Sequence, residues 1–244
     1  MKQQEKILGV IGGLGPIATA YFMELVVKMT GADCDQKHLD MIVYNCPSIP
    51  DRTSYIVGRS KESPLPRMLE IGQTLAEQGA NAIAIPCITA HTFHEELAAG
   101  IAVPIINIVE ETAEHLKQNG ITKVGIMATD GTVKRRLFQK YLQTRGIEAV
   151  LPDQAAQQAV MELIYQNVKA NCAVDIEKFH AVGSHLKAQG AQAVVLGCTE
   201  LSLIKRDYPI GKGYIDAMEV LARACILRQG APLKENYQCL ITKS

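Results

Sequence analysis

The stretch GANAIAIPCITAH, from Gly79 to His91, is written a second time in this chain as GAQAVVLGCTEL, from Gly190 to Leu201. Each copy opens Gly-Ala-x-Ala, runs through an apolar segment and reaches a cysteine eight positions after its glycine, and the copies lie 111 residues apart. Two further pairs follow the same order. KILGVIGGLGP from Lys6 is echoed by KVGIMATDGT from Lys123, which places Gly9 and Gly125 116 positions apart. VPIINIVEETAEHL from Val103 is echoed by YPIGKGYIDAMEVLA from Tyr208, with Asn107 and Asp216 109 positions apart. Three matched elements at nearly constant offset imply an internal duplication, so the chain must fold as two similar units.

The nature of the unit follows from periodicity. Short continuous apolar runs (Ile7 to Gly12, Met41 to Asn45, Ala82 to Pro86, Pro104 to Ile108) read as strands buried on both faces. Between them lie longer amphipathic segments. Pro66 to Gln78 places Met68, Leu69, Ile71, Leu75 and Ala76 on one helical stripe, with Gly79 as its cap. The expected fold is therefore α/β: two pseudo-symmetric parallel-sheet halves with the functional crevice between them at the carboxyl ends of the strands. Residues 1–105 and 216–244 are assigned to the first half and 106–215 to the second.

Composition narrows the classes of function. The 244 residues, 48% hydrophobic, suffice for a substantial core. Lysine plus arginine and aspartate plus glutamate number 25 each, with no basic run, so neither nucleic acid nor an anionic membrane is an expected partner. No segment reaches the roughly 20 apolar residues that span a bilayer, and the N-terminal stretch lacks a cleavage pattern, so a cytoplasmic protein is expected. The seven cysteines include no CxxC pair, which argues against a disulfide framework or a structural metal site, and no metal is expected.

Cys87 and Cys198 stand apart because each follows a predicted buried strand, where a parallel sheet presents its functional loops. Halves related by a pseudo-twofold would bring both thiols against one ligand from opposite sides. That arrangement suits inversion at a carbon acid, in which one group removes a proton from one face and another delivers a proton to the other. A thiol, with an ordinary pKa of about 8.5, can take either part after modest tuning. Thr89, Thr129, Thr132 and Thr199 fall in the strand-end loops as candidate donors to a substrate carboxylate or as local caps. His91 could polarise Cys87, and Glu200 could orient or deprotonate Cys198, or both could be helix-start residues. The glycine loop GVIGGLGP, which contains Gly13, does not have dinucleotide spacing and reads better as a turn whose amides cradle a carboxylate. In NCPSIPDRTSY, two prolines stiffen a loop presenting Arg52, either a fork for a carboxylate or a solvated surface arginine.

At these residues the sequence resembles the aspartate/glutamate racemase family, whose members use no pyridoxal phosphate. The resemblance rests on GGLGPIAT (Gly12 to Thr19), IPDRT (Ile49 to Thr53), PCITAH (Pro86 to His91) and GCTEL (Gly197 to Leu201), in order along most of the chain. It implies a cofactor-independent amino-acid racemase, acting on aspartate, glutamate or a related amino acid, with Cys87 and Cys198 as the catalytic pair. It further implies that Arg52 contacts a substrate carboxylate, that Thr89, Thr129 and Thr199 contact the rest of the substrate, that Lys169 is a second cationic contact, and that the protein is a homodimer. One position departs from the family pattern: Ile88 stands where an asparagine usually follows the first cysteine, and loss of such an amide contact costs about 1–3 kcal/mol in a buried site. The same two-cysteine architecture also serves maleate isomerisation and hydantoin racemisation, and a relative that binds an amino acid without turning it over is a further alternative.

Overall fold

A computed structural model of the protein describes residues 6–241; residues 1–5 and 242–244, assigned above to the first half, lie outside the described residues. The first sheet is built from β1 (Ile7–Gly12), α1 (Pro16–Met29), β2 (Asp40–Asn45), α2 (Arg52–Val57), α3 (Leu65–Glu77), β3 (Ala80–Ala84), α4 (His94–Gly100) and β4 (Ile105–Ile106), followed by α5 (Ile108–Gln118). The second comprises β5 (Lys123–Ala128), α6 (Asp130–Lys134), α7 (Leu137–Gln143), β6 (Glu148–Val150), α8 (Gln154–Glu162), α9 (Ile176–Ala188), β7 (Ala193–Gly197), α10 (Thr199–Asp207) and β8 (Tyr214–Asp216), followed by α11 (Ala217–Gln229). All strand pairs are parallel, in the orders β2-β1-β3-β4 and β6-β5-β7-β8. The fold is thus two four-stranded parallel α/β units of identical strand order.

The repeated residues perform repeated structural tasks. Gly79 and Gly190, which open the doubled stretch, have φ of +94° and +90°, the left-handed conformation that ends α3 and α9 and turns the chain into β3 and β7. Gly9 and Gly125 lie in the paired central strands β1 and β5, where a Cβ would come within 3.3 Å of Leu75 Cβ and 2.9 Å of Leu186 Cβ. The missing side chain lets α3 and α9 settle onto their sheets through equivalent leucines. Asn107 and Asp216 cap α5 and α11, each accepting from the backbone amide two residues on.

Two strand expectations need correction. β2 is not buried on both faces: its inner four residues are only half-buried, because it is an edge strand. An apolar run does not distinguish an edge from the centre of a sheet. The run from Pro104 to Ile108 contributes only Ile105 and Ile106 to a ladder, because Asn107 already caps α5. The core is continuous between the sheets. Helix α11, after the last strand of the second sheet, packs on α1 and α5, and one cluster of buried side chains joins Leu8, Val10 and Phe22 to Ile126, Val195 and Met218. Among the described residues no helix is long and apolar enough to cross a membrane.

Candidate active site

Both cysteines stand at the carboxyl ends of equivalent strands. Pro86, which has no amide hydrogen to give a ladder, follows Ile85 beyond the end of β3, and the Cys87 amide turns back onto the Ile85 carbonyl at 2.7 Å. Cys198 is the residue between β7 and α10. Both are 6% exposed, and both line one small cavity of about 10 Å³. Arg52, Thr89, Thr129, Lys169, Thr199 and Glu200 line it as well, together with Leu14, Asp51, Thr53, Ile88 and Tyr165. Residues more than a hundred positions apart in the chain thus share one small space, large enough for about one water molecule.

The two thiols have different surroundings. The Cys198 thiol donates to Glu200 Oε2 at 2.8 Å, and Glu200 Oε1 lies 3.2 Å from Lys169 Nζ. Burial pushes the Cys198 pKa well above the usual thiol value, and the Glu200 carboxylate pushes it further in the same direction. Burial disfavours the Lys169 ammonium, but Glu200 and Cys198 outweigh that cost and hold it above its ordinary pKa. On the other side of the cavity, Arg52 is 6% exposed rather than solvated. Its Nη1 donates to the carbonyls of Ile49 and Pro50 at 3.3 and 3.1 Å, and its Nη2 to Leu14 at 2.9 Å, while Nε is buried without a partner. Burial works against this guanidinium, but the neighbouring Cys87 and Asp51 favour its charge and the net shift is upward. One thiol therefore faces a carboxylate, the other a cation.

The threonines join the two sheets. Thr89 Oγ1 lies 2.9 Å from Thr129 Oγ1 and 3.0 Å from Thr132 Oγ1, a buried hydroxyl cluster across the crevice. Thr129 also caps α6, so the cap and cavity readings both hold for it. Thr199 Oγ1 lies 3.4 Å from Glu200 Oε2. His91 is directed elsewhere: its Nδ1 donates to the Cys87 carbonyl at 3.0 Å and its Nε2 accepts from the Ile108 amide at 3.4 Å. Burial lowers its pKa to about 4, so the ring is neutral and braces the backbone beneath Cys87 without touching the thiol. Gly13, at φ +90°, gives its amide to Thr19 Oγ1 at 2.9 Å, and a Cβ there would fall 2.4 Å from the Cys46 backbone. That amide is therefore already committed within the loop. Ile88 is 1% exposed and forms, with Leu14, the apolar part of the cavity wall.

Asp51 and Tyr165 were not among the candidates read from sequence. The Tyr165 hydroxyl donates toward both Asp51 oxygens at 3.2 Å, linking the two units over the cavity. Asp51 caps α2 by accepting from the Ser54 amide at 2.7 Å, and the Asp-x-x-Ser spacing was the available signal. Tyr165 and Lys169 owe their positions to a π-helical turn, Leu163–Val168, after which the Lys169 amide bonds five residues back to Ile164 at 2.9 Å. The wider turn sets both side chains against the crevice, a frequent use of π-bulges. Among the described residues, no three His, Cys, Asp or Glu side chains gather as a metal site.

Comparison with known proteins agrees with this geometry. The chain is 27% identical over 230 residues to the broad specificity amino-acid racemase RacX of Bacillus subtilis, covering 90% of this chain and 96% of that protein. It superposes on Picrophilus torridus aspartate racemase with a TM-score of 0.82 at 32% identity, covering 96% and 99% of the two chains. The fold is also that of Francisella tularensis glutamate racemase, solved with D-glutamate, at a TM-score of 0.65 and 17% identity over 93% of this chain and 83% of the other. A family model described as Asp/Glu/Hydantoin racemase matches residues 11–225, a span that includes both cysteines, Arg52, Lys169 and Glu200, and the chain belongs to that family.

Proposed function

We propose that the protein is a cofactor-independent amino-acid racemase in which Cys87 and Cys198 exchange protons with the two faces of a substrate α-carbon. The observation that carries this reading is the convergence of two thiols, from equivalent strand ends of the duplicated sheets, on one small cavity. Cys198, kept protonated by burial and by Glu200, enters as the acid. Cys87, on the opposite face, is then the base in this direction. In that direction the Cys87 thiolate takes the α-proton while the Cys198 thiol delivers its own to the opposite face; the reverse direction exchanges the roles. Negative charge that develops on the substrate carboxylate meets Arg52, Lys169 and the threonine hydroxyls that line the cavity. The homodimer and the cytoplasmic setting belong to the same proposal, with the exposed Met23 and Val27 of α1 available to a second copy.

The test is incubation of the purified protein with single enantiomers of amino acids in deuterated water. Deuterium should appear at the α-carbon of the inverted product. Binding without exchange, across the whole set of amino acids, would leave the thiols without this role.

A further inference from the structure

The cavity between the thiols has a neighbour. A groove of about 500 Å³ lies outside it, and the two share Asp51, Arg52, Lys169 and Glu200 as a common wall. The volume of the groove falls within the range of small-molecule sites, whereas the cavity between the thiols admits about one water. Its apolar lining comes from Ile17, on α1, with Pro47, Val168, Val174, Leu203 and Ile204. Ile17 is 51% exposed, an apolar side chain left at the rim.

The charged groups of the groove are already engaged. Arg206 holds Asp207 through two bonds of 2.6 and 2.8 Å, Lys169 holds Glu200 at 3.2 Å, and both terminal nitrogens of Arg52 bond to main-chain carbonyls. On the racemase reading the α-carboxylate takes Arg52 and Lys169, and Arg206 is held by Asp207, so a second carboxylate in this groove would lose water beside Asp51, Glu200 and Asp207. An uncharged chain has no charge of its own to desolvate and, beyond the charged wall, would bury apolar surface against the groove's aliphatic side chains. A second groove, about 550 Å³, meets the cavity only at Thr53 and Tyr165, and its walls are polar, with Gln154, Gln157, Gln158 and Gln166 among them.

On the racemase reading above, the α-carbon must sit between the thiols, and its side chain must leave through a wall that opens onto space. We infer that the groove walled by Ile17, Val174 and Leu203 is the side-chain subsite, and that the preferred substrates are amino acids with large uncharged side chains, such as methionine and leucine. Acidic side chains are the disfavoured class. Each buried methylene contributes roughly fourfold to binding, so methionine should exceed alanine in kcat/KM for α-deuterium exchange by at least about tenfold.

The experiment measures exchange and inversion in deuterated water with methionine, leucine, alanine and aspartate, for the unmodified protein and for Ile17→Asp and Val174→Asp. Both substitutions sit at partly or largely exposed positions in the groove lining. The readout is the methionine-to-alanine ratio, which is insensitive to the fraction of folded enzyme. Each variant should lower that ratio at least about tenfold. Aspartate exchanging faster than methionine and leucine, or a ratio that neither variant changes, overturns the subsite while leaving the racemase intact. Exchange with no amino acid at all would instead remove the racemase reading on which the subsite rests.

Discussion

The Cys198 thiol points at a carboxylate: Sγ lies 2.8 Å from Glu200 Oε2, within a site where the opposite cysteine lies beside a guanidinium. The duplication that made two equivalent strand ends has therefore not made two equivalent acids. Burial and the Glu200 charge both favour the thiol form of Cys198, in that order. Replacing Glu200 by glutamine removes the second cause and leaves the Lys169 cation near the sulfur without its carboxylate. Both changes favour thiolate. The Cys198-dependent part of the thiolate absorbance, obtained by difference from Cys198→Ser, should titrate at least about one pH unit lower in Glu200→Gln. On the racemase proposal, in the direction that would use Cys198 as base, the rising limb of the rate profile should move down with it. An unchanged or higher midpoint would show that Glu200 does not control this proton.

Loss of either thiol should abolish inversion. Positioned acid–base groups contribute typically 10²- to 10⁴-fold each, so Cys87→Ala and Cys198→Ala should each lower kcat for racemisation by at least about a thousandfold, measured by polarimetry or chiral chromatography. The two variants are separable because each retains a thiol on only one face. Ordinary racemisation by either one is incompatible with proton transfer at both faces.

Tyr165 and Asp51 close the site from opposite units. The phenol donates toward both carboxylate oxygens at 3.2 Å, and hydrogen bonds to a charged group contribute about 1.5–3 kcal/mol when buried, less where they are partly wetted as here. A double-mutant cycle of Tyr165→Phe and Asp51→Asn, followed by denaturant unfolding, should give a coupling of about 1–2 kcal/mol. On the racemase reading KM should rise in Tyr165→Phe, because the contact fixes two residues of the cavity wall. Coupling below about 0.5 kcal/mol would mean that the contact does not link the units.

What the sequence makes legible here is whatever the duplication repeats. Gly79 and Gly190 recur because each helix must end in a left-handed residue before its strand, and Asn107 and Asp216 recur because the helix after the last strand of each sheet needs a cap. Cys87 and Cys198 recur at equivalent strand ends, and the structure brings both to one cavity. What is not repeated is hard to read. Tyr165 and Lys169 lie on a π-helical turn whose extra residue per turn leaves no periodic signature. The reach of Arg52 back to the Leu14 carbonyl joins positions 38 apart, and no local pattern marks it. His91 illustrates the converse: its nearness in sequence to Cys87 suggests a partner for the thiol, whereas its ring engages the carbonyl of the same residue.

A buried acidic pair away from the cavity should govern the pH dependence of stability. Asp216 is fully buried at the start of α11, bonded by Ser202 Oγ at 2.6 Å, with its other oxygen unpartnered. Glu219, 8% exposed, pairs with Lys205 at 2.6 Å, yet burial and the nearby Asp216 raise its pKa to about 7. Burial likewise raises Asp216, so the pair retains a proton in the folded protein under conditions where the unfolded chain has released it. The sign follows directly. A carboxyl whose folded pKa is raised binds more protons folded than unfolded, so stability is highest below its unfolded value, about 4.3, and falls as pH rises toward 7. This pair should therefore lower the thermal midpoint between pH 5 and 8, and Glu219→Gln, which cannot ionise, should flatten that decline. The check is differential scanning calorimetry of both proteins across this range. A decline equally steep in Glu219→Gln would place the titrating group elsewhere.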